Sequence, residues 1–350
     1  MRALTVVPGV PNSARIDDVP EPPAADGSVL VRSLALGICA TDREIVAGDY
    51  GAPPPGQQRL ILGHESLGSV EEAPPDSGLN AGDLVVGIVR RPDPVPCPAC
   101  AVGEWDMCRN GEYTERGIKA RNGYGAERFR IEPQFTIKLD PRLGVHGVLL
   151  EPASIMAKAW EHTDYIGRRS KAWQPNTLLV TGAGPIGLLA ALMGAQRGLD
   201  VHVLDRNAGG EKEILVRELG GTYHSGDFEV VEHLSPDVLI ECTGAPAVIA
   251  GVLGRTAPAG ITCLVGIATP GHECKLDIGS IDRTLVGDND LVLGSVNANR
   301  RHFEAAAEAL CRADPSWLGS LITRRVPLDR WPEALQHKPG DIKVAIDFTL

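Results

Sequence analysis

The sequence lacks an excess of basic residues. Of its 350 residues, 34 are Lys or Arg and 45 are Asp or Glu, so the formal net charge is -11 at pH 7. Because binding to a nucleic-acid backbone depends on clustered Lys and Arg, this balance argues against a nucleic-acid groove. We expect no nucleic-acid partner, and we interpret the acidity as serving mainly solubility.

The sequence also lacks clear signals for secretion or membrane insertion. The amino-terminal stretch MRALTVVPGV has no long apolar core of the signal-peptide kind, so we expect a cytoplasmic protein. The run 178–195 carries no charge, but glycines and Pro185 interrupt it. A strand, a tight turn and a helix buried in an α/β domain explain this run better than a membrane span, and we expect no membrane partner.

No internal repeat or low-complexity tract is visible, but the length and a change of pattern indicate two domains. Up to about residue 150, short strand-like runs are separated by Pro, Gly and Asp clusters, which is typical of a β-rich or barrel-like domain. Between about 177 and 294, apolar strands alternate with helix-like stretches, which predicts βαβ units and a parallel sheet. The tail adds an amphipathic helix, HFEAAAEALCRA, and a closing strand, DIKVAIDFTL.

A glycine motif follows the first of these apolar strands. The segment VTGAGPIG places Gly182, Gly184 and Gly187 in G-x-G-x-x-G spacing, directly after a predicted strand and directly before a predicted helix. The first glycine permits a tight turn, the second lets a pyrophosphate approach the backbone, and the third lets helix and strand pack closely. Pro185 suits the first helical turn, where no backbone N–H is needed. The motif predicts a dinucleotide-binding site.

The end of the next predicted strand bears on the choice of dinucleotide. The strand VHVLD ends at Asp205, whose carboxylate can accept hydrogen bonds from the adenosine ribose and repels a 2′-phosphate. Arg206 follows directly and can pair with that phosphate. The pattern therefore favours NAD and leaves NADP open.

Four residues of the first domain form a candidate metal site: Cys39 in GICATD, His64 and Glu65 in GHESLGSV, and Glu151 in EPAS. Thiolate, imidazole and carboxylate are ligands that zinc accepts, and a catalytic zinc keeps one position open for water or substrate. Taken singly, each of these residue types is more often structural than a ligand. The context of the motifs must therefore decide.

That context resembles the zinc-dependent medium-chain dehydrogenases, the alcohol and polyol dehydrogenase superfamily, over essentially the whole chain. The shared segments are GICATD, LGHESLGSV and VTGAGPIGLLA. Longer stretches are similar to the glucose 1-dehydrogenase branch: TERGIKARNGYGAERFRIEP, EPAS, LGSVNANRRHFEAA and ITRRVPLDRWPEAL. The resemblance implies an α/β fold with a GroES-like β-rich catalytic domain over 1–160 and 295–350 and a doubly wound Rossmann domain over 161–294.

The resemblance also implies roles for the candidate metal-site residues. The residues matching Cys39 and His64 hold a catalytic zinc in that family, and the one matching Glu65 lies at the metal or next to it. Glu151 matches a carboxylate that reaches the metal directly or through water. Thr41 matches the hydroxyl that contacts the substrate and relays its proton.

Further matches concern the sugar and the cofactor. Glu115, in YTERG, matches a residue that hydrogen-bonds sugar hydroxyls, and Asn297, in GSVNAN, matches one near nicotinamide and substrate. Thr41 and Glu151 complete the candidate substrate-binding set. The candidate cofactor-binding residues are Gly182, Gly184, Pro185, Ile186, Gly187, Asp205, Arg206, Thr243, Gly266 and Asn297.

The segment VPCPACAVGEWDMC is similar to the family's structural-zinc lobe, but the first of its four cysteines is missing. Pro94 stands in its place, and Cys97, Cys100 and Cys108 remain. Because structural zinc is almost always four-coordinate, either Asp93 or another nearby acid completes the site, or the lobe binds no metal. We favour a three-cysteine zinc site, since free thiols this close are prone to oxidation. Four other cysteines are interpreted as small buried hydrophobes: Cys242, Cys263, Cys274 and Cys311.

The predicted chemistry is zinc-assisted hydride transfer. Zinc lowers the pKa of the substrate hydroxyl, and hydride leaves for nicotinamide. For an aldopyranose the reacting carbon is the anomeric one and the product is a lactone. We expect a zinc- and NAD(P)-dependent aldose 1-dehydrogenase that acts on glucose or galactose.

Two alternatives stay open. The first is a dehydrogenase of another polyol, secondary alcohol or aminocyclitol, because fold does not dictate substrate, and Ala40 and Ile155 depart from the family's pattern. The second is a non-catalytic nucleotide-sensing relative, against which the intact set of metal-site residues argues. By analogy with the family, pairing through the strand DLVLGSV predicts a homodimer or homotetramer.

Overall fold

The structure is a computed structural model that describes residues 1–268, 271 and 273–350. The chain divides into two compact units, Met1–Ser154 with Asn297–Leu350, and Ile155–Val296. These divisions fall within a few residues of the boundaries expected after 160 and before 295. The assignment of a zinc domain and a dinucleotide domain to the two units stays a prediction.

The strands are numbered along the chain: β1 Arg2–Val6, β2 Arg15–Asp18, β3 Val29–Ile38, β4 Leu60–Ile61, β5 Glu65–Glu72, β6 Leu84–Gly87, β7 Arg90–Arg91, β8 Thr114–Arg116, β9 Ala120–Arg121, β10 Arg128–Ile131, β11 Thr136–Lys138, β12 Thr177–Thr181, β13 Asp200–Asp205, β14 Thr222–Ser225, β15 Val238–Glu241, β16 Ile261–Leu264, β17 Leu291–Gly294, β18 Ile322–Pro327 and β19 Lys343–Asp347. The α-helices are α1 Ala40–Ala47, α2 Pro98–Ala101, α3 Leu150–Gly167, α4 Pro185–Ala195, α5 Glu211–Glu218, α6 Pro246–Val252, α7 Ile278–Asp288, α8 Arg300–Arg312, α9 Pro315–Leu321 and α10 Trp331–Leu335. The 3-10 helices are Ala24–Asp26, Trp105–Met107, Pro133–Phe135, Pro141–Leu149, Phe228–Val231 and Leu328–Arg330.

The main sheet of the first unit is built around β3. Its strands follow the order β11-β6-β5-β3-β19-β18, and β10 also pairs with β3. The alternating apolar residues at the start of β3 face the core, as the two-residue period of a strand requires, and its last four residues are all buried. The next residue, Cys39, directly follows this buried end of β3 and is itself partly buried.

His64 and Glu65 lie where one strand gives way to the next. β4 ends at Ile61, and Glu65 is the first residue of the longer strand β5. Gly63 lies between the two strands with a φ of 95°. A Cβ there would lie 2.5 Å from the side chain of Leu36, so glycine is required both for the turn and for the close packing.

The second unit contains a parallel sheet, as predicted. Within the described residues its strand order is β14-β13-β12-β15-β16-β17, and all five strand pairs are parallel. This is the doubly wound order 3-2-1-4-5-6. The uncharged run 178–195 forms β12, a turn and α4, which confirms the interpretation made from its glycines. The edge strand β14 was not predicted, because its sequence TYHS has no apolar run.

The described helices include none that combines the length and apolar character needed to cross a bilayer. The interpretation of four scattered cysteines as buried is confirmed for Cys263 and wrong for Cys274 and Cys311, which are exposed; Cys242 is partly buried. Cys311 lies on the outer face of the amphipathic α8, whose buried side is formed by residues such as Phe303 and Leu310. An apolar neighbourhood in sequence does not tell which side of a helix a residue occupies.

Candidate active site

Three of the predicted metal ligands converge in the first unit. Cys39 caps the amino terminus of α1, Glu65 is the first residue of β5, and His64 directly precedes it. The Sγ atom of Cys39 is 3.2 Å from Nε2 of His64. One ligand atom from each of the three residues lies within 4.8 Å of the others. Sulfur, imidazole nitrogen and carboxylate oxygen form a donor set that suits zinc.

The buried carboxylate of Asp42 orients two of these residues. Its Oδ2 accepts a hydrogen bond from the backbone N–H of Cys39 at 2.9 Å, and its Oδ1 faces Nδ1 of His64 at 3.4 Å. Among the described residues neither Oδ1 nor Nδ1 has a hydrogen-bond partner, so each is available only to the other. A carboxylate behind a histidine fixes the tautomer that leaves the other ring nitrogen free for a metal.

Sequence reasoning missed Asp42, although a signal was present. Asp42 lies one turn beyond Cys39 in the same helix, and a strand-end cysteine followed by such a carboxylate could have been interpreted as a ligand with its support.

Glu65 is held by a buried cation. Nζ of Lys343 donates to both of its carboxylate oxygens, at 2.7 Å and 2.6 Å. The two side chains are only 1% and 2% exposed. Gly37 pairs with Glu65 across β3 and β5, and a Cβ at Gly37 would lie 2.0 Å from Oε2 of Glu65. The missing side chain at Gly37 therefore provides the space for this ion pair.

Glu151 and Thr41 lie in the first turns of two helices near this cluster. Glu151, on α3, is 9% exposed. Burial raises the pKa of Glu151 to about 7, and the charges of His64 and Glu65 act on it in opposite directions. Glu151 is therefore close enough to the cluster to interact with its charges. Thr41 is half-buried on α1, two residues beyond Cys39.

Two of the four predicted substrate-binding residues, Glu115 and Asn297, contact each other. Nδ2 of Asn297 donates to Oε1 of Glu115 at 2.7 Å. The guanidinium of Arg90 donates to the same oxygen through Nε at 3.1 Å and Nη2 at 3.0 Å. Arg90, which sequence reasoning missed, is buried beside Glu115 because β7 and β8 pair at these two residues.

The three lobe cysteines also form a cluster. Their sulfurs lie within 4.8 Å of one another, and those of Cys97 and Cys108 are 4.0 Å apart. The backbone N–H groups of Arg109 and Cys100 point at the sulfur of Cys97, at 3.4 Å and 3.5 Å. These hydrogen bonds lower the pKa of Cys97 to about 6. A thiolate that accepts backbone N–H bonds is a state suited to a metal ligand.

Asp93 is linked to these sulfurs through one intervening residue, Asn110. Its carboxylate accepts hydrogen bonds from the Val95 N–H, at 2.8 Å, and from the side-chain amide of Asn110. The amide oxygen of Asn110 in turn accepts from Sγ of Cys108 at 3.0 Å. Asp93 is buried, and Asn110 connects it to the cysteine cluster.

The predicted dinucleotide loop has the geometry that its glycines require. Gly182 has a φ of 93° directly after β12, and Gly184 precedes α4, whose first residues are Pro185 and Ile186. A Cβ at Gly187 would lie 1.8 Å from the carbonyl oxygen of Gly182. A Cβ at Gly184 would meet nothing within 4 Å, so the space beside this glycine is open to a ligand.

Asp205 is engaged by its own loop. Its Oδ2 accepts from the Ala183 N–H at 2.9 Å and from Nζ of Lys212 at 3.2 Å, and its Oδ1 accepts from the Asn207 N–H at 3.1 Å. Burial would raise the pKa of Asp205, but these partners outweigh it and hold that pKa below its ordinary value. Arg206, the next residue, is exposed.

A buried carboxylate that the sequence did not reveal links two other cofactor candidates. Glu241, at the end of β15, is fully buried, and its Oε1 accepts from the N–H and hydroxyl of Thr243. Its backbone oxygen accepts from the Gly266 N–H at 2.9 Å. A Cβ at Gly266 would lie 2.1 Å from the Gly244 nitrogen, so these two loops touch each other beside Glu241.

Comparisons with known proteins identify the class of protein to which these sites belong. Residues 25–141 match the family described as alcohol dehydrogenase GroES-like domain, and residues 144–348 match glucose dehydrogenase C-terminus. The glucose 1-dehydrogenase of Thermoproteus tenax is 40% identical over 351 residues, with 99% of both chains covered. Glucose 1-dehydrogenase 1 of Caldivirga maquilingensis is 38% identical over 353 residues, again with 99% of both covered.

A solved structure is similar over the whole chain. The glucose dehydrogenase of Haloferax mediterranei, in complex with NADP, Zn and gluconolactone, has a TM-score of 0.92 and 31% identity and covers 100% of both chains. The fold and the site thus define a two-domain dehydrogenase with a GroES-like and a Rossmann domain, which confirms the predicted fold class. Within the medium-chain dehydrogenases, the chain belongs to the glucose dehydrogenase family.

Proposed function

We propose that this protein is a zinc- and NAD(P)-dependent aldose 1-dehydrogenase that oxidises glucose or galactose at the anomeric carbon and releases the lactone. The observation that carries the proposal is the 3.2 Å approach of the Cys39 sulfur to Nε2 of His64, in a chain similar over its whole length to a glucose dehydrogenase solved with NADP, Zn and gluconolactone. Zinc and NAD(P) are the cofactors, and a sugar is the substrate.

Each residue of the first unit has a proposed part in this reaction. Cys39 and His64 hold the zinc, and Asp42 orients His64. A bound zinc supplies the Lewis acid that lowers the pKa of the sugar hydroxyl. Glu65, whose carboxylate is restrained by Lys343, adds negative charge that favours the binding of zinc.

Two further residues handle the proton and the metal. The hydroxyl of Thr41 relays the proton released from the substrate, since it passes its own proton outward as it accepts this one. The Glu151 carboxylate would support a bound metal directly or through water. Both lie in the first turn of a helix, where the backbone holds them rigidly.

The glycine loop of the second unit is the proposed seat of the pyrophosphate. Asp205 is bonded to Ala183, Asn207 and Lys212, and the Lys212 cation offsets part of the charge that would repel a 2′-phosphate. Arg206, the residue after Asp205, is exposed and can pair with that phosphate. We therefore propose that NADP is used as well as NAD, with NADP bound through Arg206.

Arg206→Ala should separate the two cofactors. The KM for NADP should rise about tenfold, because a charged hydrogen bond contributes about 1.5 to 3 kcal/mol, and the KM for NAD should stay within about twofold, since NAD lacks the 2′-phosphate. Initial rates with each cofactor at saturating sugar measure this. Arg217→Ala is the matched control, because Arg217 is an exposed arginine of the same unit paired with Glu213. An equal loss with both cofactors would contradict the assignment.

The three-cysteine lobe should hold a second zinc. Native mass spectrometry of the intact chain should find two zinc ions per subunit, and Cys97→Ser should remove one of them, because the Cys97 thiolate lies within 4.8 Å of its partners. Cys311→Ser, at an exposed thiol outside the cluster, should keep both ions. A single zinc that persists in Cys97→Ser would show that the lobe binds no metal.

The function itself is tested with the purified, zinc-replete protein. NADH and NADPH formation should be followed with a panel of aldoses, polyols, aminocyclitols and simple alcohols. Oxidation of glucose or galactose, with the lactone as product, supports the proposal. Turnover of another alcohol, with no turnover of any aldose, would show that the substrate belongs to a different class. Cofactor binding with no turnover at all would indicate a non-catalytic relative.

A second copy of the chain is the proposed partner. β17 forms one edge of the parallel sheet, and no residue of the neighbouring α7 is buried. The apolar side chains of Ile278 and Val286 on this helix are 67% and 71% exposed, which favours a covering surface. Light scattering should give a dimer or tetramer; a mass of 37.1 kDa would contradict this. A cytoplasmic location stays a prediction.

A further inference from the structure

The carboxylate of Glu115 is held through one of its two oxygens. Oε1 accepts three hydrogen bonds, two from Arg90 and one from Asn297. Among the described residues, Oε2 has no hydrogen-bond partner, and this oxygen is accessible to solvent. The residue as a whole is 5% exposed. Oε1 is therefore occupied by donors from Arg90 and Asn297, whereas Oε2 is available to accept a hydrogen bond from a ligand.

Arg90 is itself fixed in place. Its guanidinium lies 3.7 Å from the centre of the Tyr113 ring, and Nη1 donates to the carbonyl oxygen of Asp106 at 3.2 Å. Its Nε and Nη2 form a planar fork on the Glu115 oxygen. A guanidinium that stacks on a ring and donates three hydrogen bonds to two acceptors is held in one orientation, and a lysine ammonium cannot reproduce this fork.

Asn297 is fixed by the same surroundings. Its Oδ1 accepts from the Ala298 N–H at 2.8 Å, so both ends of the amide are used. Asn299 caps α8 and donates to Oδ1 of Asp106 at 2.8 Å. These contacts form a chain that runs from Asn297 through Glu115, Arg90 and Asp106 to Asn299, two residues beyond Asn297.

We propose that Arg90 is a positioning residue of the sugar site, which fixes the Glu115 carboxylate so that Oε2 accepts a hydrogen bond from one particular sugar hydroxyl. This rests on the proposed function. A buried acceptor aimed at one hydroxyl rejects a sugar that lacks it, because the acceptor is then left unpaired. If the carboxylate turns, it accepts from other hydroxyls or from water, and the discrimination is lost.

The test compares glucose with the set of its monodeoxy derivatives in wild type and in Arg90→Lys. In wild type, kcat/KM for one deoxyglucose should be at least about a hundredfold below that for glucose. In Arg90→Lys, the KM for glucose should rise about tenfold and the penalty on that deoxyglucose should shrink about tenfold, while the KM for NAD(P) stays within about twofold.

Arg91→Lys is a matched control. Arg91 is the adjacent residue, is equally buried and lies 4.0 Å from the Phe135 ring, but it donates to Glu132 and not to Glu115. It should keep both the glucose KM and the full deoxyglucose penalty. If Arg90→Lys does not fold, Asn297→Gly removes one donor to Oε1 at a φ of 60° that glycine adopts freely. The same rise in the glucose KM and the same smaller deoxyglucose penalty are then expected.

One result would overturn the proposal. If Arg90→Lys raises the KM equally for glucose and all deoxyglucoses and keeps the penalty, Arg90 supports the fold without positioning Glu115. This outcome is distinct from failure of the proposed function, in which wild type oxidises no aldose.

Discussion

Cys39→Ser should lower kcat for aldose oxidation by at least about a thousandfold and leave dinucleotide binding unchanged. The Cys39 sulfur is the proposed soft ligand of the zinc and lies 3.2 Å from Nε2 of His64, and a serine hydroxyl is a much poorer zinc ligand than a thiolate. A Lewis acid is worth several kcal/mol of transition-state stabilisation, and each 1.36 kcal/mol is a factor of ten in rate.

Three measurements on the variant decide this prediction. They are kcat from NAD(P)H formation, zinc content per subunit, and the dissociation constant of NADPH from fluorescence titration. Zinc content should fall by one ion, and the NADPH constant should be unchanged because the glycine loop belongs to the other unit. Cys311→Ser is the control at an exposed thiol. A Cys39→Ser variant with full zinc and activity within tenfold of wild type would contradict the assignment.

Lys343→Met should cost about 3 to 5 kcal/mol of unfolding free energy, a loss typical when one partner of a buried ion pair is removed. Lys343 and Glu65 are almost completely buried, and the Glu65 carboxylate fills the space beside Gly37 that a side chain there would occupy. For a unit of this size the loss corresponds to a melting temperature lower by roughly 10 °C. Differential scanning calorimetry of the zinc-loaded protein measures it.

Two companion variants separate charge from packing. Lys343→Met combined with Glu65→Gln should recover most of the loss, because no unpaired buried charge remains. Lys138→Met breaks a surface pair with Asp83, whose side chains are 46% and 18% exposed, and should cost less than about 1 kcal/mol. A Lys343→Met melting temperature equal to that of Lys138→Met would show that the Glu65 charge is satisfied in another way.

The parts of the fold that could be predicted are those whose signals are local in the chain. The change from strand-and-turn rhythm to alternating strands and helices separates the two units, because periodicity reflects which face of each element is buried. The glycine loop was predicted together with its strand and helix, since a tight turn, a close contact and a missing N–H each require a particular residue at a fixed position.

The prediction that Cys39 and His64 lie close together depended on the family resemblance. The two residues are 25 positions apart, and nothing in the spacing shows that the end of β3 and the start of β5 are neighbours. The register of the antiparallel pair brings them together, and this register is set by packing along the whole of both strands.

The supporting residues could not be predicted from the sequence. Lys343 lies 278 positions from Glu65, and a lysine in an apolar strand gives no indication of its partner. Arg90 and its neighbour Arg91 are residues of the same type, yet Arg90 donates to Glu115 and Arg91 donates to Glu132. Adjacent strand residues point to opposite faces, so only the tertiary structure reveals which arginine contacts Glu115.

The most direct test of the proposed chemistry uses glucose deuterated at C1. With the zinc-loaded protein and NADP, the deuterium should appear on the nicotinamide ring of the NADPH formed, the sugar product should be gluconolactone, and the rate of the chemical step should fall relative to unlabelled glucose. NADPH without deuterium, or an oxidised sugar that keeps the label at C1, would contradict hydride transfer from the anomeric carbon.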